Sequence, residues 1–269
     1  MKIGVLMTLK EAKNRIPLAK EMGIHSCQLC NWDLSLLTDE VAEETIALLK
    51  EYDMEVSTYW AGWSGPKAWN FTEGPVTLGL LPPAYRYRRV QELKAQADFA
   101  RKLGIMQVAT HAGFIPENPH DPQYAGMIDA LREVALHLKA NGQYFLFETG
   151  QETPATLLRA ITDIGTDNLG INMDTANLIQ YGKANPLDAL DTIGQYVKDM
   201  HIKDGLYPTN GWELGPEVAV GEGKVDFPRI IARLKEMGYD GALTIEREIS
   251  GDQQIADIQR AKALLEKHI

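Results

Sequence analysis

The sequence predicts a (β/α)8 barrel that forms a single domain over residues 1–269. Eight short apolar segments alternate with eight helical segments along the whole chain. Such an alternation indicates a parallel sheet covered by helices, and eight strand–helix units in about 270 residues match the usual size of this barrel. Glycines at 23, 104, 142 and 238 each follow a helical segment and precede a strand, which suits helix ends. No linker or low-complexity stretch divides the chain.

The predicted strands are short apolar runs that turn-forming residues bound, and they cover residues 2–6, 25–30, 55–60, 105–111, 143–148, 169–174, 197–202 and 241–246. The segments between them have helical patterns, near residues 9–22, 38–53, 84–103, 122–140, 154–164, 186–194, 226–237 and 251–267. The segment 226–237 is the clearest, because it has one apolar stripe after the capping residue Asp226. The stripe consists of Phe227, Ile230, Ile231, Leu234 and Met237.

Two long loops follow strands three and seven. The first runs from Ala61 to Tyr85 and is rich in glycine and proline, and the second runs from Gly205 to Val225. Loops of this length inside a compact domain are often functional. We expect both to lie over the carboxyl ends of the strands, where they could cover a substrate.

The charge balance excludes several classes of partner. The net charge is −10, and no run of Lys or Arg occurs, so we expect no nucleic-acid partner and no anionic membrane surface as a partner. No segment is apolar enough, for long enough, to span a bilayer, and the N-terminus lacks the apolar core of a signal peptide. The sequence therefore predicts a cytoplasmic protein.

The two cysteines, Cys27 and Cys30, form a Cys-x-x-Cys pair within the second predicted strand. Zinc or redox chemistry is one interpretation of this spacing. Residues three apart on a strand point to opposite faces, however, and no second pair is present. We therefore predict two buried structural thiols.

Four late strands end in a potential metal ligand: Glu148, Asp174, His201 and Glu246. In barrels of this kind the active site lies at the carboxyl ends of the strands, so these side chains are expected to meet there. Three carboxylates and one imidazole suit Mn²⁺ or Mg²⁺, and Zn²⁺, Co²⁺ and Fe²⁺ are also compatible. The alternative, that each group is paired with a nearby Lys or Arg, would have to apply to four consecutive strands.

Several motifs resemble those of the xylose-isomerase-like TIM-barrel superfamily of sugar phosphate isomerases and epimerases, whose members include ketose 3-epimerases and inosose isomerases. They are Phe147-Glu-Thr-Gly150, Asn172-Met-Asp-Thr-Ala-Asn177, His201-Ile-Lys-Asp204, Gly221-Glu-Gly-Lys-Val-Asp226 and Thr244-Ile-Glu-Arg-Glu248. The resemblance implies that the four strand-end residues bind one divalent ion. It also implies that Glu148 and Glu246 act as acid and base on opposite faces of a ketose, through an enediolate.

Two positions depart from the ketohexose 3-epimerases. Those enzymes usually have a histidine three residues after the aspartate ligand and an arginine six residues after the histidine ligand, where this chain has Asn177 and Tyr207. Both residues contact substrate in the relatives. The departures argue against a free ketohexose as the natural substrate and leave the metal chemistry unchanged.

Further residues are candidates for substrate binding. His111 ends the fourth strand, Asn177 and Lys203 follow the sixth and seventh strands, and Trp32 and Trp60 follow or end the second and third. Tryptophan faces pack against the C–H faces of sugars, although rim tryptophans also serve ordinary packing. The segment Gly221-Glu-Gly-Lys224 precedes a helix and leaves a phosphate site open, although Glu222 would repel phosphate.

The sequence thus predicts a divalent-metal-dependent epimerase or isomerase of a ketose or keto-sugar derivative, with phosphorylation of the substrate left open. A metal-dependent lyase or dehydratase acting on a keto-sugar or keto-polyol is the alternative. An endonuclease-IV-like phosphodiesterase would need more histidines than the six present and a basic surface, and a non-catalytic sugar-binding barrel is a fourth hypothesis. The resemblance allows a homodimer or a homotetramer.

Overall fold

The computed structural model describes residues 1–269, and its strands form one closed barrel. All eight predicted barrel strands are present: β1 (Lys2–Thr8), β2 (Ser26–Asn31), β3 (Glu55–Ala61), β4 (Gln107–Thr110), β5 (Tyr144–Glu148), β6 (Leu169–Asp174), β7 (Val197–Ile202) and β10 (Ala242–Ile245). Each strand pairs in parallel with its neighbour in the chain, and β10 closes the barrel against β1. The predicted fold class is therefore confirmed.

The eight predicted helices are also present: α1 (Ala12–Glu21), α2 (Asp39–Glu51), α4 (Pro83–Lys102), α5 (Tyr124–Ala140), α6 (Pro154–Ile164), α8 (Pro186–Ile193), α9 (Phe227–Glu236) and α10 (Asp252–Leu265). Asp226 caps α9 as predicted, by accepting a hydrogen bond from the backbone of Arg229. The sequence did not predict four short elements: the helices α3 (Gly74–Thr77) and α7 (Thr175–Gln180), and the strands β8 (Asp204–Gly205) and β9 (Glu217–Val218), which pair antiparallel. All four lie in segments that follow barrel strands. None of the helices is long and apolar enough to cross a membrane.

The main apolar core lies between the strands and the surrounding helices, and it includes Cys27 and the four α9 side chains of the predicted stripe. The barrel interior differs, because it holds a small apolar cluster of Cys30, Trp60, Ala109 and Leu146 together with several polar side chains. Cys27 and Cys30 thus lie on opposite faces of β2, both buried and unbonded, as predicted.

Two hydrogen bonds cross the barrel interior between opposite strands. Gln28 on β2 donates to Asn172 on β6, and Thr58 on β3 donates to Asp199 on β7. In the closed order of strands, β2 and β6 are four places apart, as are β3 and β7. Buried polar groups of this kind need hydrogen-bond partners, so each hydrogen bond holds one side chain from each of its two strands in place.

Candidate active site

The four predicted ligands meet at the carboxyl end of the barrel. One donor atom from each of Glu148, Asp174, His201 and Glu246 lies within 4.8 Å of the other three. His201 Nδ1 lies 2.9 Å from Glu148 Oε1, 3.0 Å from Glu246 Oε2 and 3.7 Å from Asp174 Oδ2. Three carboxylates therefore surround one imidazole nitrogen in a buried setting.

This cluster fits a divalent cation. Asp174 Oδ2 and His201 Nδ1 are buried and make no hydrogen bond of normal geometry, despite the short distances from Nδ1 to the carboxylates; buried polar atoms are normally satisfied. Burial alone would lower the pKa of His201, but Glu148 and Glu246 outweigh it and raise that pKa well above its ordinary value. A divalent ion would offset the same carboxylate charge and use both unpartnered atoms.

The backbone around Asp174 explains how this ligand is held. Asp174 is the last residue of β6 and also caps the short helix α7, because its Oδ1 accepts a hydrogen bond of 2.8 Å from the backbone N–H of Asn177. Its own N–H donates to Thr149 Oγ1 over 2.9 Å. Oδ1 of Asp174 therefore caps the helix, and Oδ2 faces His201.

The two glutamates have different surroundings. Glu148 Oε2 accepts a hydrogen bond of 3.2 Å from Trp60 Nε1 and another from the side-chain amide of Asn172. No protein group hydrogen-bonds to the second oxygen of Glu246, and its side chain is 13% exposed against 1% for Glu148. Glu148 is therefore fixed in place, whereas Glu246 keeps one oxygen available.

Lys203 is a buried ammonium beside the ligands. Its Nζ lies 2.7 Å from Glu248 Oε1, 3.5 Å from Glu246 Oε2 and 3.7 Å from Asp174 Oδ2. Burial alone would lower the pKa of Lys203, but these carboxylates raise it well above its ordinary value. The side chain therefore keeps its positive charge and lies within reach of Glu246. Oδ1 of Asn177, another residue predicted to bind substrate, lies 3.4 Å from the same Nζ.

A cavity of about 440 Å³ opens above the ligands. Its lining contains every predicted substrate-binding residue: Trp32, Trp60, His111, Asn177 and Lys203. It also contains residues that the sequence did not single out, among them Lys67, Trp69, Gln180, Tyr181, Leu214 and Glu248. The volume is in the range of small-molecule sites.

Aromatic rings form one wall of this cavity. The ring centroids of Trp32 and Trp60 lie 5.1 Å apart, and those of Trp69 and His111 lie 4.9 Å apart. Trp69 also packs edge-on against Trp32 at 6.3 Å. Such a surface can pack against the C–H face of a sugar ring. Trp63 is buried and Trp212 is 73% exposed, and neither lines the cavity.

His111 is held in the wall as a neutral ring. Burial lowers its pKa from the ordinary 6.5 to about 4, because a charged imidazole would lose its hydration there. Its Nδ1 lies 3.1 Å from Gln151 Oε1, an atom that can only accept, so Nδ1 bears the hydrogen. The other ring nitrogen is then an acceptor for a substrate hydroxyl. Gln151 itself was not predicted.

The loop after β3 is fixed by one buried arginine. Arg89 on α4 donates to the backbone carbonyls of four loop residues, Ser64, Pro66, Thr77 and Gly79, and its guanidinium stacks 3.9 Å from the Trp63 ring. These contacts hold the part of the loop that brings Lys67 and Trp69 to the cavity. The predicted proximity of this loop to the active site is confirmed. The loop after β7 reaches the cavity through Leu214.

The segment Gly221-Glu-Gly-Lys224 does not present free amides to a phosphate. Both Gly221 and Gly223 donate their backbone N–H to Asp204 Oδ2, at 3.0 and 2.9 Å, and Val225 donates to Oδ1. A β-carbon at Gly223 would lie 2.0 Å from Asp204, so this close approach requires glycine. Asp204 therefore organises the loop, and it lies outside the cluster of four metal donors.

The chain matches the family model described as xylose isomerase-like TIM barrel over residues 16–268. It belongs to this family. The superfamily that its motifs resembled is thereby confirmed, and its structural neighbours include ketose 3-epimerases and related sugar isomerases.

The names of two relatives that are more than 30% identical to this chain do not specify an activity. The fold is similar to that of a xylose isomerase domain protein from Planctomyces limnophilus, with a TM-score of 0.92, 32% identity, and coverage of 99% of this chain and 95% of that one. The sequence is 31% identical over 205 residues to the uncharacterised protein MJ1311 of Methanocaldococcus jannaschii, which is 70% of this chain and 67% of that protein.

Two more distant proteins have names that specify chemistry. A D-tagatose 3-epimerase-like protein shares the fold with a TM-score of 0.78 at 21% identity, covering 100% of this chain and 97% of that one. An inosose dehydratase of Lacticaseibacillus casei is 25% identical over 150 residues, which is 49% of this chain and 50% of that enzyme. The chain therefore matches only half the length of the dehydratase.

Proposed function

We propose that this protein is a divalent-metal-dependent epimerase or isomerase of a ketose or keto-sugar derivative, which acts through an enediolate. The observation that supports the proposal is the meeting of four metal donors, three of them buried, beneath a cavity with an aromatic wall. Glu148, Asp174, His201 and Glu246 would hold Mn²⁺ or Mg²⁺. The bound ion would supply Lewis-acid polarisation of the ketone.

The residues of the chain then account for proton transfer. Glu246 has a free oxygen on the cavity side of the cluster and is the group best placed to take the proton from the carbon beside the ketone. The electron pair of that C–H bond moves into the carbon–carbon double bond of the enediolate. Epimerisation requires a proton returned to the opposite face, while Glu246 releases its own proton to solvent. Glu148 would supply the returned proton after taking it from solvent water, and only if its oxygen gives up the hydrogen bond from Trp60 or Asn172.

A lyase or dehydratase is the second candidate, and the position of Lys203 favours it. The Lys203 ammonium lies 3.5 Å from the Glu246 carboxylate, so an acid and a base stand on the same side of the cavity. Glu246 would take the proton at carbon, the neighbouring carbon–oxygen bond would break, and the departing hydroxyl would leave as water with a proton from Lys203. The similarity to an inosose dehydratase supports the same chemistry.

Asp204 accepts the hydrogen bonds of the backbone amides of Gly221 and Gly223, so this loop gives no support for a phosphorylated substrate. Lys67 is the remaining candidate for an anionic group, because it lines the cavity and forms no ion pair with an acidic residue.

Deuterium exchange in D₂O tests the proposal. The Mn²⁺-loaded protein is incubated with a panel of ketoses, ketose phosphates and inososes, and proton NMR follows both the products and the C–H signals. An epimer that carries deuterium at carbon supports the first candidate, and loss of water from the substrate supports the second. EDTA should abolish either activity, and Mn²⁺, Co²⁺ or Mg²⁺ should restore it. Turnover that survives exhaustive chelation would refute the metal chemistry.

A further inference from the structure

We infer that Gln28 and Asn172 are positioning residues of the metal centre, which join the ligands His201 and Glu148 through one bridge of hydrogen bonds. This inference rests on the metal site of the proposed function and specifies what orients its ligands. We call these two side chains the amide bridge. Neither residue supplies a donor atom to the four-residue cluster.

The amide bridge consists of three consecutive hydrogen bonds. His201 Nε2 lies 2.7 Å from Gln28 Oε1, and Gln28 Nε2 lies 2.9 Å from Asn172 Oδ1. Asn172 Nδ2 donates to Glu148 Oε2. The bridge therefore runs from the outer nitrogen of one ligand to the outer oxygen of another, and the inner atoms of both ligands face the cluster.

The direction of these bonds follows from the chemistry of their ends. An ionised carboxylate can only accept, so Asn172 must turn its NH₂ group toward Glu148 and its oxygen toward Gln28. Gln28 must then turn its own NH₂ group toward Asn172 and its oxygen toward His201. That oxygen requires a hydrogen on His201 Nε2. When an ion is bound and the ring is neutral, its lone pair would consequently be on Nδ1, the atom that faces the three carboxylates.

Burial makes this arrangement hard to change. Gln28 and Asn172 are both fully buried in the barrel interior, and a buried amide without a partner loses its hydration with no hydrogen bond to replace it. If the side-chain amide of either residue were rotated by 180°, its oxygen would face another acceptor and its NH₂ group would face another donor. The bridge also crosses between the opposite strands β2 and β6, so the closed barrel itself sets the spacing of the two ligands.

The amide bridge has a consequence for the division of roles among the ligands. Glu148, Asp174 and His201 each have their second polar atom occupied by a protein partner, respectively Asn172 with Trp60, the Asn177 backbone, and Gln28. Glu246 is the ligand whose second oxygen has no such partner. Three ligands are therefore held, and the fourth is free to exchange a proton.

Metal affinity tests the amide bridge without any need for a substrate. Isothermal titration with Mn²⁺ compares the wild-type protein with Gln28→Met and Asn172→Leu, which keep the size of the side chains and remove the hydrogen bonds. We expect each variant to bind Mn²⁺ about 10–100-fold more weakly, as is typical when a partner of a metal ligand is lost. The double variant should bind Mn²⁺ at most about threefold more weakly than the weaker-binding single variant, because both substitutions break the same continuous bridge.

The matched control is Thr58→Val, which removes the other hydrogen bond across the barrel interior, from Thr58 to Asp199. This bond does not involve a ligand, so the control should bind Mn²⁺ within about threefold of wild type. Equal affinities for the bridge variants and the control would overturn the inference. Absence of Mn²⁺ binding by the wild type would overturn the metal site itself, and with it the proposed function.

A spectroscopic measurement keeps the inference testable if a bridge variant fails to fold. Long-range ¹H–¹⁵N NMR of the wild-type protein, loaded with diamagnetic Zn²⁺ and labelled at histidine, reports which ring nitrogen of His201 bears the hydrogen. The amide bridge requires the hydrogen on Nε2 and coordination through Nδ1. A hydrogen on Nδ1 would show that the direction deduced from Glu148 is wrong.

Discussion

The two halves of the barrel contribute different chemistry to the same site. The last four barrel strands end in charged ligands, at Glu148, Asp174, His201 and Glu246. The first four contribute the aromatic wall and His111, together with the amide of Gln28. The charged half accounts for ion binding and proton transfer, whereas the aromatic half accounts for substrate shape and for the orientation of a ligand. The difference predicts that substitutions in the two halves will change different kinetic constants.

The largest effect is expected in the charged half, from the two glutamates. Glu246→Gln removes the free carboxylate oxygen, so kcat should fall about 10²–10⁴-fold, the usual contribution of a positioned base. Glu148→Gln should also lose activity, because the ion is bound less well and because an epimerisation also loses the proton for the opposite face. Raising Mn²⁺ should restore none of the activity of Glu246→Gln, and it should restore part of that of Glu148→Gln only if the reaction is an elimination.

Steady-state kinetics over a range of Mn²⁺ concentrations measures this difference, with a substrate identified by deuterium exchange. If both variants stay inactive at every concentration, Glu148 also transfers a proton, and the scheme with a glutamate on each face of the sugar holds. If either variant is as active as wild type, that residue has no part in the chemistry.

The charged half could be predicted from the sequence because its signal is local. Each ligand ends or directly follows a short apolar strand, and parallel strands in a barrel bring such positions to one rim. Asn172 had a weaker signal: it lies two residues before Asp174 on β6 and therefore on the same face. Its partner Gln28 could not be assigned, because the contact of these two side chains across the barrel depends on closure and register.

The aromatic half was predicted only in part. Trp32, Trp60 and His111 lie at or near strand ends, where position alone indicates the rim. Trp69 and Lys67 reach the cavity from within a long loop, and the path of that loop depends on the carbonyl contacts of Arg89. Such contacts between a helix and irregular backbone have no periodic pattern, so the sequence showed that the loop matters without showing which of its residues line the cavity.

An intermediate effect is expected on stability, from His111 in the aromatic half. In the unfolded chain this imidazole takes up a proton below about pH 6.5, whereas in the folded protein its pKa is about 4. The unfolded state therefore binds more protons between these values, and the folded protein loses stability as the pH falls from 6.5 toward 4. The loss amounts to roughly 2–3 kcal/mol at pH 4.5.

Urea denaturation of the metal-free protein at pH 7.5 and pH 4.5 measures this loss. The free energy of unfolding of His111→Asn should fall less between the two pH values than that of wild type, by the amount just given. His120→Asn is the matched control, because His120 is exposed on a loop, and its pH dependence should equal that of wild type. If the free energy of unfolding changes by the same amount between the two pH values for both variants, His111 is not held as a neutral ring.

The smallest effect should come from Trp69, which separates recognition from chemistry most directly. Trp69 is 40% exposed and packs on His111 and Trp32 at the cavity wall, so it can contact a substrate without touching the ligands. An aromatic contact contributes about 0.5–1.5 kcal/mol beyond its buried area, so Trp69→Ala should raise KM up to about tenfold with kcat within about twofold of wild type. Trp212→Ala is the control, because Trp212 lies on the other long loop and outside the cavity lining. A fall in kcat for Trp69→Ala at constant KM would instead place this tryptophan among the groups that act in the reaction step, and the division between the two halves would fail.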